Sequence, residues 1–168
     1  MTISADMADD EGFLDKIKKG IYQLAVVHEK PIDPCFTYVK CGHEALYISL
    51  KTGNPLSFYP EIHLKDLNGL TILLLSRIGF WSKIHRAKTP DSKYLLQVED
   101  DSFFELASNS DYPISSSYFI NRGEVFPDRI NIPIADPECS ADYYLVCLAS
   151  EKNRYEPLFK HIRADTIR

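Results

Sequence analysis

Apolar positions along this chain repeat in two rhythms, one helical and one alternating. Phe13, Leu14, Ile17 and Ile21 recur at helical spacing while Lys16, Lys18 and Lys19 take the water side, so a first helix is expected there. Asp9, Asp10 and Glu11 offer carboxylates to its N-terminus, and Gly20 suits its C-terminal stop. Leu24-Ala25-Val26-Val27 is an unbroken apolar run, the pattern of a strand buried on both faces of a parallel sheet. His28 to Pro34 has two prolines and little periodicity, and is expected to be loop. Ala45 to Leu50 alternates and predicts a strand. A turn at Gly53-Asn54-Pro55-Leu56 follows, then a short amphipathic helical turn from Ile62 to Leu67 closed by Asn68-Gly69.

The second half continues the alternation of elements. Thr71 to Leu75 predicts an apolar strand, and Ser76-Arg77-Ile78-Gly79 turns it into a helix carrying Phe80, Trp81 and Ile84. Pro90 ends that helix. Tyr94 to Val98 predicts a strand, and Glu99-Asp100-Asp101-Ser102 opens a helix with Phe103, Phe104, Leu106 and Ala107 inward. Tyr112 to Ile120 is mixed in character. Arg129 to Ile134 and Asp142 to Leu148 read as strands, and Asn153 suits the cap of a last helix with Tyr155, Leu158, Phe159 and Ile162 on one face. Strands alternating with helices predict an α/β fold with mainly parallel sheets. The strands at 45–50 and 142–148 are bounded by polar loops, which fits two lobes joined by two crossing strands.

Composition narrows the function classes. A chain of 168 residues makes one ordinary domain or two small lobes, and 45% hydrophobic with 26% charged residues is enough to bury a core. A net charge of -5 with no basic stripe argues against a direct nucleic-acid surface. No apolar run approaches the roughly 20 residues of a membrane span. The first residues lack the basic and apolar regions of an export signal, so a cytoplasmic protein is expected. Cys35, Cys41, Cys139 and Cys147 have no CxxC spacing and are expected to be reduced thiols.

Candidate chemistry follows from position. Ser76, Arg77 and Ile78 lie between a strand and a helix, where open α/β sheets bind ligands and helix N-termini attract anions. A hydroxyl and a guanidinium there suit a carboxylate or phosphate. The plain alternative is a connecting turn with Ser76 as helix N-cap. Ser115, Ser116 and Ser117 offer hydroxyls to a polar ligand, or form a solvated loop. Glu99-Asp100-Asp101 is expected to complement a helix dipole rather than to hold a metal. Cys41, His43 and Glu44 are of ligand type but lack the four-ligand pattern of a structural zinc, so neither metal nor cofactor is expected. No hydrolase or nucleotide-binding signature is present. Trp81 with Phe80 is most simply core.

The order of these segments resembles the effector-binding domain of LysR-type transcriptional regulators. Ile62-x-Leu64-x-Asp66-Leu67-x-Gly69 matches that family's I-x-L-x-D-L segment before a glycine and a strand. Asn54-Pro55-Leu56 matches its His-Pro-Leu turn with Asn for His. Gly20 to Val27 matches its glycine-led strand with Gln23 where Asp is usual. The late strand at 143–148 and the final helix resemble the family's return crossover and closing helix. The resemblance implies a type II periplasmic-binding-protein-like fold: two α/β lobes with a small-molecule cleft between them. The first lobe would be residues 1–44 and 148–168, the second 50–141, with crossover strands at 45–50 and 142–148. Ser76 and Arg77 would meet a small anionic effector, and Ser115 and Ser116 fall where the family lines its cleft with glycines.

Two departures from the family stand out. The winged helix-turn-helix has no counterpart in this chain, so any DNA contact would come through a segment outside it. Thr2-Ile3-Ser4 looks like the first lobe's second strand, so that lobe's first βα unit is expected to be missing, which would expose apolar surface and favour a homodimer. Two other readings remain open. One is a non-sensing dimerisation module of the same fold. The other is an enzyme of that fold, for which no general acid or base can be nominated.

Overall fold

The computed structural model of the chain describes residues 12–117 and 126–166, with side chains as far as residue 163. The expected features at 2–4, 9–11 and 118–120 lie outside the described residues. The chain packs as two units, one of residues 1–43 and 141–168, the other of 44–140.

In the first unit, helix α1 (Phe13–Lys18) leads to strand β1 (Ala25–Val27). Gly20 takes φ +71°, its N–H donates to the Ile17 carbonyl at 3.0 Å, and the Ile21 N–H donates to Lys16 at 2.9 Å. That is a Schellman ending, which needs a residue without a Cβ at the left-handed position. Ile21 therefore falls past the helix and is 59% exposed, rather than continuing its buried stripe. Strand β1 pairs antiparallel with β7 (Ser140–Leu148), Ala25 opposite Val146. The expectation of a parallel strand covered on both faces is thus corrected: Ala25 is buried while Val26 is 54% exposed. Three apolar residues in a row cannot reveal which face lies open. Ile17, Ala25, Phe36 and Val146 form one small core, and Val39, Leu145, Cys147 and Phe159 another. Phe159 comes from helix α4 (Lys152–Thr166), which starts before Asn153, so Asn153 is not its cap.

The chain leaves this unit along β2 and re-enters it along β7. Strand β2 runs Phe36–Lys51, far longer than the expected 45–50. Its first half, Phe36 to Gly42, mixes burial classes and so hides its alternation.

The second unit holds β3 (Thr71–Leu75), α2 (Trp81–Lys88), β4 (Lys93–Gln97), α3 (Asp100–Asn109), β5 (Ile114–Ser117) and β6 (Arg129–Pro133). Its sheet order is β2-β5-β3-β4, with β6 on the other side of β2. β3 runs parallel to β4 and β5, whereas β2 is antiparallel to both β5 and β6. The sheet is therefore mixed, not mainly parallel. The chain steps from β3 out to β4, then back past β3 to β5. Right-handed crossovers in opposite directions place α2 and α3 on opposite faces. The Ile62–Leu67 segment is a 3-10 turn over Leu64–Leu67, both leucines fully buried, with the His63 N–H bonded to the Asp66 carboxylate at 2.8 Å.

Arg129 ties the α3 face together. Arg129 is 5% exposed, and its guanidinium donates to the carbonyls of Ala107 (3.0 Å), Ser49 (3.1 Å), Tyr112 (2.9 Å) and Ser110 (2.6 Å). Those carbonyls belong to the C-terminal end of α3, the lead into β5, and β2. One side chain thus satisfies the free end of a helix and joins it to the sheet. Replacing Arg129 by Ala is expected to cost about 3 kcal/mol by leaving buried carbonyls unpaired. Lys should recover only a minor part, since it lacks the planar fork. Urea denaturation midpoints check both.

Candidate functional site

The antiparallel register decides which side chains lie beneath α2. Leu46 of β2 stands opposite Ser117 of β5, and Ile48 opposite Ser115, so these four share a face. Glu44, two residues before Leu46, has the same parity. Helix α2 covers this face with Trp81 and His85, 2% and 1% exposed. Four helical residues rise about 6 Å and two strand residues about 7 Å, so the two pairs can meet in step. They do. His85 Nε2 lies 2.7 Å from Ser115 Oγ. Trp81 Nε1 donates to Glu44 Oε2 at 3.2 Å, and the Ser117 hydroxyl donates to the other oxygen of the same carboxylate. The result is a buried polar seam joining α2, β5 and the start of the second unit's part of β2.

One atom of the seam is unsatisfied. His85 Nδ1 is buried without a hydrogen-bond partner. Burial also pushes the imidazole pKa down from 6.5 to about 4. The ring is therefore neutral at pH 7. The Thr89 hydroxyl closes the last turn of α2 on the His85 carbonyl at 2.8 Å and also bonds the Tyr94 hydroxyl.

The expected site residues fall in two places. Ser115 and Ser116 are in strand β5, 3% and 1% exposed, which overturns the solvated-loop alternative. Three serines in a row look soluble, but each of these sits in a paired strand. Ser115 enters the seam beneath α2. Ser116 stands opposite Tyr47 on the other face, so adjacent serines serve different sides of the sheet. Ser76, Arg77 and Ile78 lie at the carboxyl end of β3. Ile78 is 6% exposed and anchors the turn, while Ser76 and Arg77 are exposed. Gly79 takes φ +61° and α2 begins only at Trp81, so Ser76 is not its N-cap. The Ser76 N–H instead donates to Gln97 of β4 at 2.8 Å. The Arg77 guanidinium pairs with Asp100 through Nη2 and reaches the Val98 carbonyl at 3.4 Å through Nη1.

Sequence reasoning missed Glu44 and His85 as partners, and took Trp81 for core alone. The available signal was helical: Trp81, His85 and Thr89 recur every four residues and are all buried. Among the described residues, no group of three His, Cys, Asp or Glu could hold a metal ion. His43 lies 2.8 Å from Asp142, which also pairs with Lys40 at 2.5 Å. An open groove of about 460 Å³ lined by Lys51, Asn54, Asp111 and Asp128 lies at the far end of β2 from Glu44 and includes none of the expected residues.

No protein-family model matches the chain, and no curated protein matches its sequence. Solved structures do match its fold. The effector-binding domain of BenM with its effector benzoate superposes at a TM-score of 0.68 and 19% identity, covering 90% of this chain and 72% of that one. The reduced regulatory domain of OxyR from Pseudomonas aeruginosa gives 0.66 and 14%, covering 90% and 77%. CbnR, a LysR family transcriptional regulator, gives 0.59 and 16%, covering 94% and 57%. The fold is therefore the type II periplasmic-binding-protein-like fold of LysR-type regulatory domains. These three structures are a regulatory domain, an effector-binding domain and a LysR family transcriptional regulator. No helix among the described residues is long and apolar enough to cross a membrane.

The seam makes a pH prediction. In the unfolded chain the His85 imidazole takes a proton below about 6.5, whereas the buried ring resists until about 4. Between those values the unfolded state binds more protons, so stability falls as pH falls, by about 3 kcal/mol in full. His85→Gln should flatten this part of the curve of melting temperature against pH, measured from pH 7 to 4.

Proposed function

We propose that this chain is the effector-sensing regulatory domain of a LysR-type transcriptional regulator. It takes up a small molecule and makes or breaks no bond. Binding shifts the domain between conformations and so biases DNA-binding segments supplied outside this chain. The observation that carries this reading is the fold match to BenM and OxyR regulatory domains over 90% of the chain. In this proposal the effector is small and anionic and meets Ser76 and Arg77 at the carboxyl end of β3, where buried Ile78 anchors the turn. Exposed Arg77 at a strand's carboxyl end supports the preference for an anion. Homodimer formation in the cytoplasm belongs to the same proposal. Ile21, Val26 and Ile32, 59%, 54% and 98% exposed, are the kind of apolar surface a partner copy covers.

One observation favours a second reading, a dimerisation module that senses nothing. Ser115 and Ser117 already bond His85 and Glu44, so they need no ligand to satisfy them. The chain's one tryptophan, Trp81, sits in that seam and separates the readings. A panel of small carboxylates and amino acids is titrated by tryptophan fluorescence and thermal denaturation. Sensing predicts at least one ligand that changes both signals. At a hundredfold excess over its Kd it should stabilise the fold by about 2.7 kcal/mol, and Arg77→Ala should weaken it at least tenfold. A panel without a stabiliser, and no effect of Arg77→Ala, favours the dimerisation module.

A further inference from the structure

The cation proposed to attract the effector is not idle. Arg77 leaves the carboxyl end of β3 and Asp100 is the first residue of α3, just beyond the carboxyl end of the parallel neighbour β4. The two side chains are 50% and 52% exposed and pair through Nη2 of the guanidinium. Nη1 bonds the Val98 carbonyl in the same β4–α3 connection, and the Ser76 N–H bonds the carbonyl of Gln97, the last residue of β4. The Val98 bond places the guanidinium at the β4–α3 connection, and the Ser76–Gln97 bond ties the two strand ends together. The Asp100 carboxylate occupies the edge that a ligand's carboxylate would otherwise take.

Asp100 also has somewhere else to go. It lies in the first turn of α3 beside Asp101, where free N–H groups and the helix dipole stabilise a carboxylate without any arginine. Releasing Arg77 therefore strands neither charge: one gains the ligand, the other keeps the helix end. The pair is exposed, so its hold on Arg77 is weak and salt-sensitive.

Resting on the effector-sensing reading, we propose that Asp100 is a built-in competitor for Arg77, a specificity-determining residue that sets the threshold for anionic ligands. Weak carboxylates lose to it. A ligand that engages Arg77 with two oxygens, or adds contacts to neighbouring groups, displaces it. Asp100 then lowers the affinity for every anion by a similar factor and leaves uncharged ligands untouched.

The test uses the full chain as wild type, Asp100→Asn, Arg77→Ala and the double variant. Succinate is the probe and succinamide its uncharged control, both followed by Trp81 fluorescence. Asp100→Asn should bind succinate about fivefold tighter at low salt, the upper range for an exposed pair. The gain should shrink at high salt, vanish in the Arg77→Ala background, and be absent for succinamide. Asp100→Ser, a second small uncharged side chain at the first position of α3, should give the same gain and guards against a folding artefact. Equal succinate response in wild type and Asp100→Asn, including none in either, overturns the competitor. If Arg77→Ala still abolishes a response that Asp100→Asn leaves unchanged, the competitor fails while the sensing reading stands.

Discussion

Leu46 faces Ser117 and Ile48 faces Ser115, and that register between β2 and β5 is the constraint on which the second unit depends. A slip of β5 by one residue would turn Ser115 and Ser117 to the α3 face and bring apolar Ile114 and the Ser116 hydroxyl beneath α2. His85 would then lose Ser115, and the buried Glu44 carboxylate would lose the Ser117 hydroxyl. Hydrophobic residues alone do not guard strongly against such a slip, because β2 is buried on both faces from Ile48 to Leu50. The polar seam does, since a buried donor or acceptor left unmatched costs more than a misplaced methyl group.

Arg129 performs the corresponding task on the other face. It stands opposite Lys51 in the β2–β6 ladder and holds the end of α3 to β2 and to the lead into β5. The sheet is thus clamped by polar groups on both sides, at Glu44 near one end of this part of β2 and at Arg129 near the other. Both clamps include β5 or the turn that leads into it. A four-residue strand with three serines has little apolar surface of its own, and these contacts account for its being a strand at all.

Several elements were legible because their apolar pattern is local. Thr71–Leu75, Lys93–Gln97 and Asp100–Asn109 appear within a residue or two of where sequence placed them. The I-x-L-x-D-L segment led to the fold that the solved structures display. What was illegible depends on partners distant in sequence. Ser115 is buried because His85 lies 30 residues away on a helix above it, and Ser117 because Glu44 lies 73 residues before it. A run of serines carries no trace of either. Arg77 was found by its position after a strand, but its engagement by Asp100 needs the parallel β3–β4 pairing, which puts the two strand ends side by side.

The two groups of expected site residues differ in how a ligand could use them. The seam is buried and internally bonded, so a ligand there must replace bonds of similar strength and reorganise a packed helix. Arg77 and Asp100 are half-exposed, and exchanging one carboxylate for another there leaves the core undisturbed. Trp81 belongs to the seam, and Ile78 anchors the four-residue turn from Arg77 to Phe80 that leads into α2. That short turn links Arg77 to the first residue of the helix, Trp81, which bonds the Glu44 carboxylate.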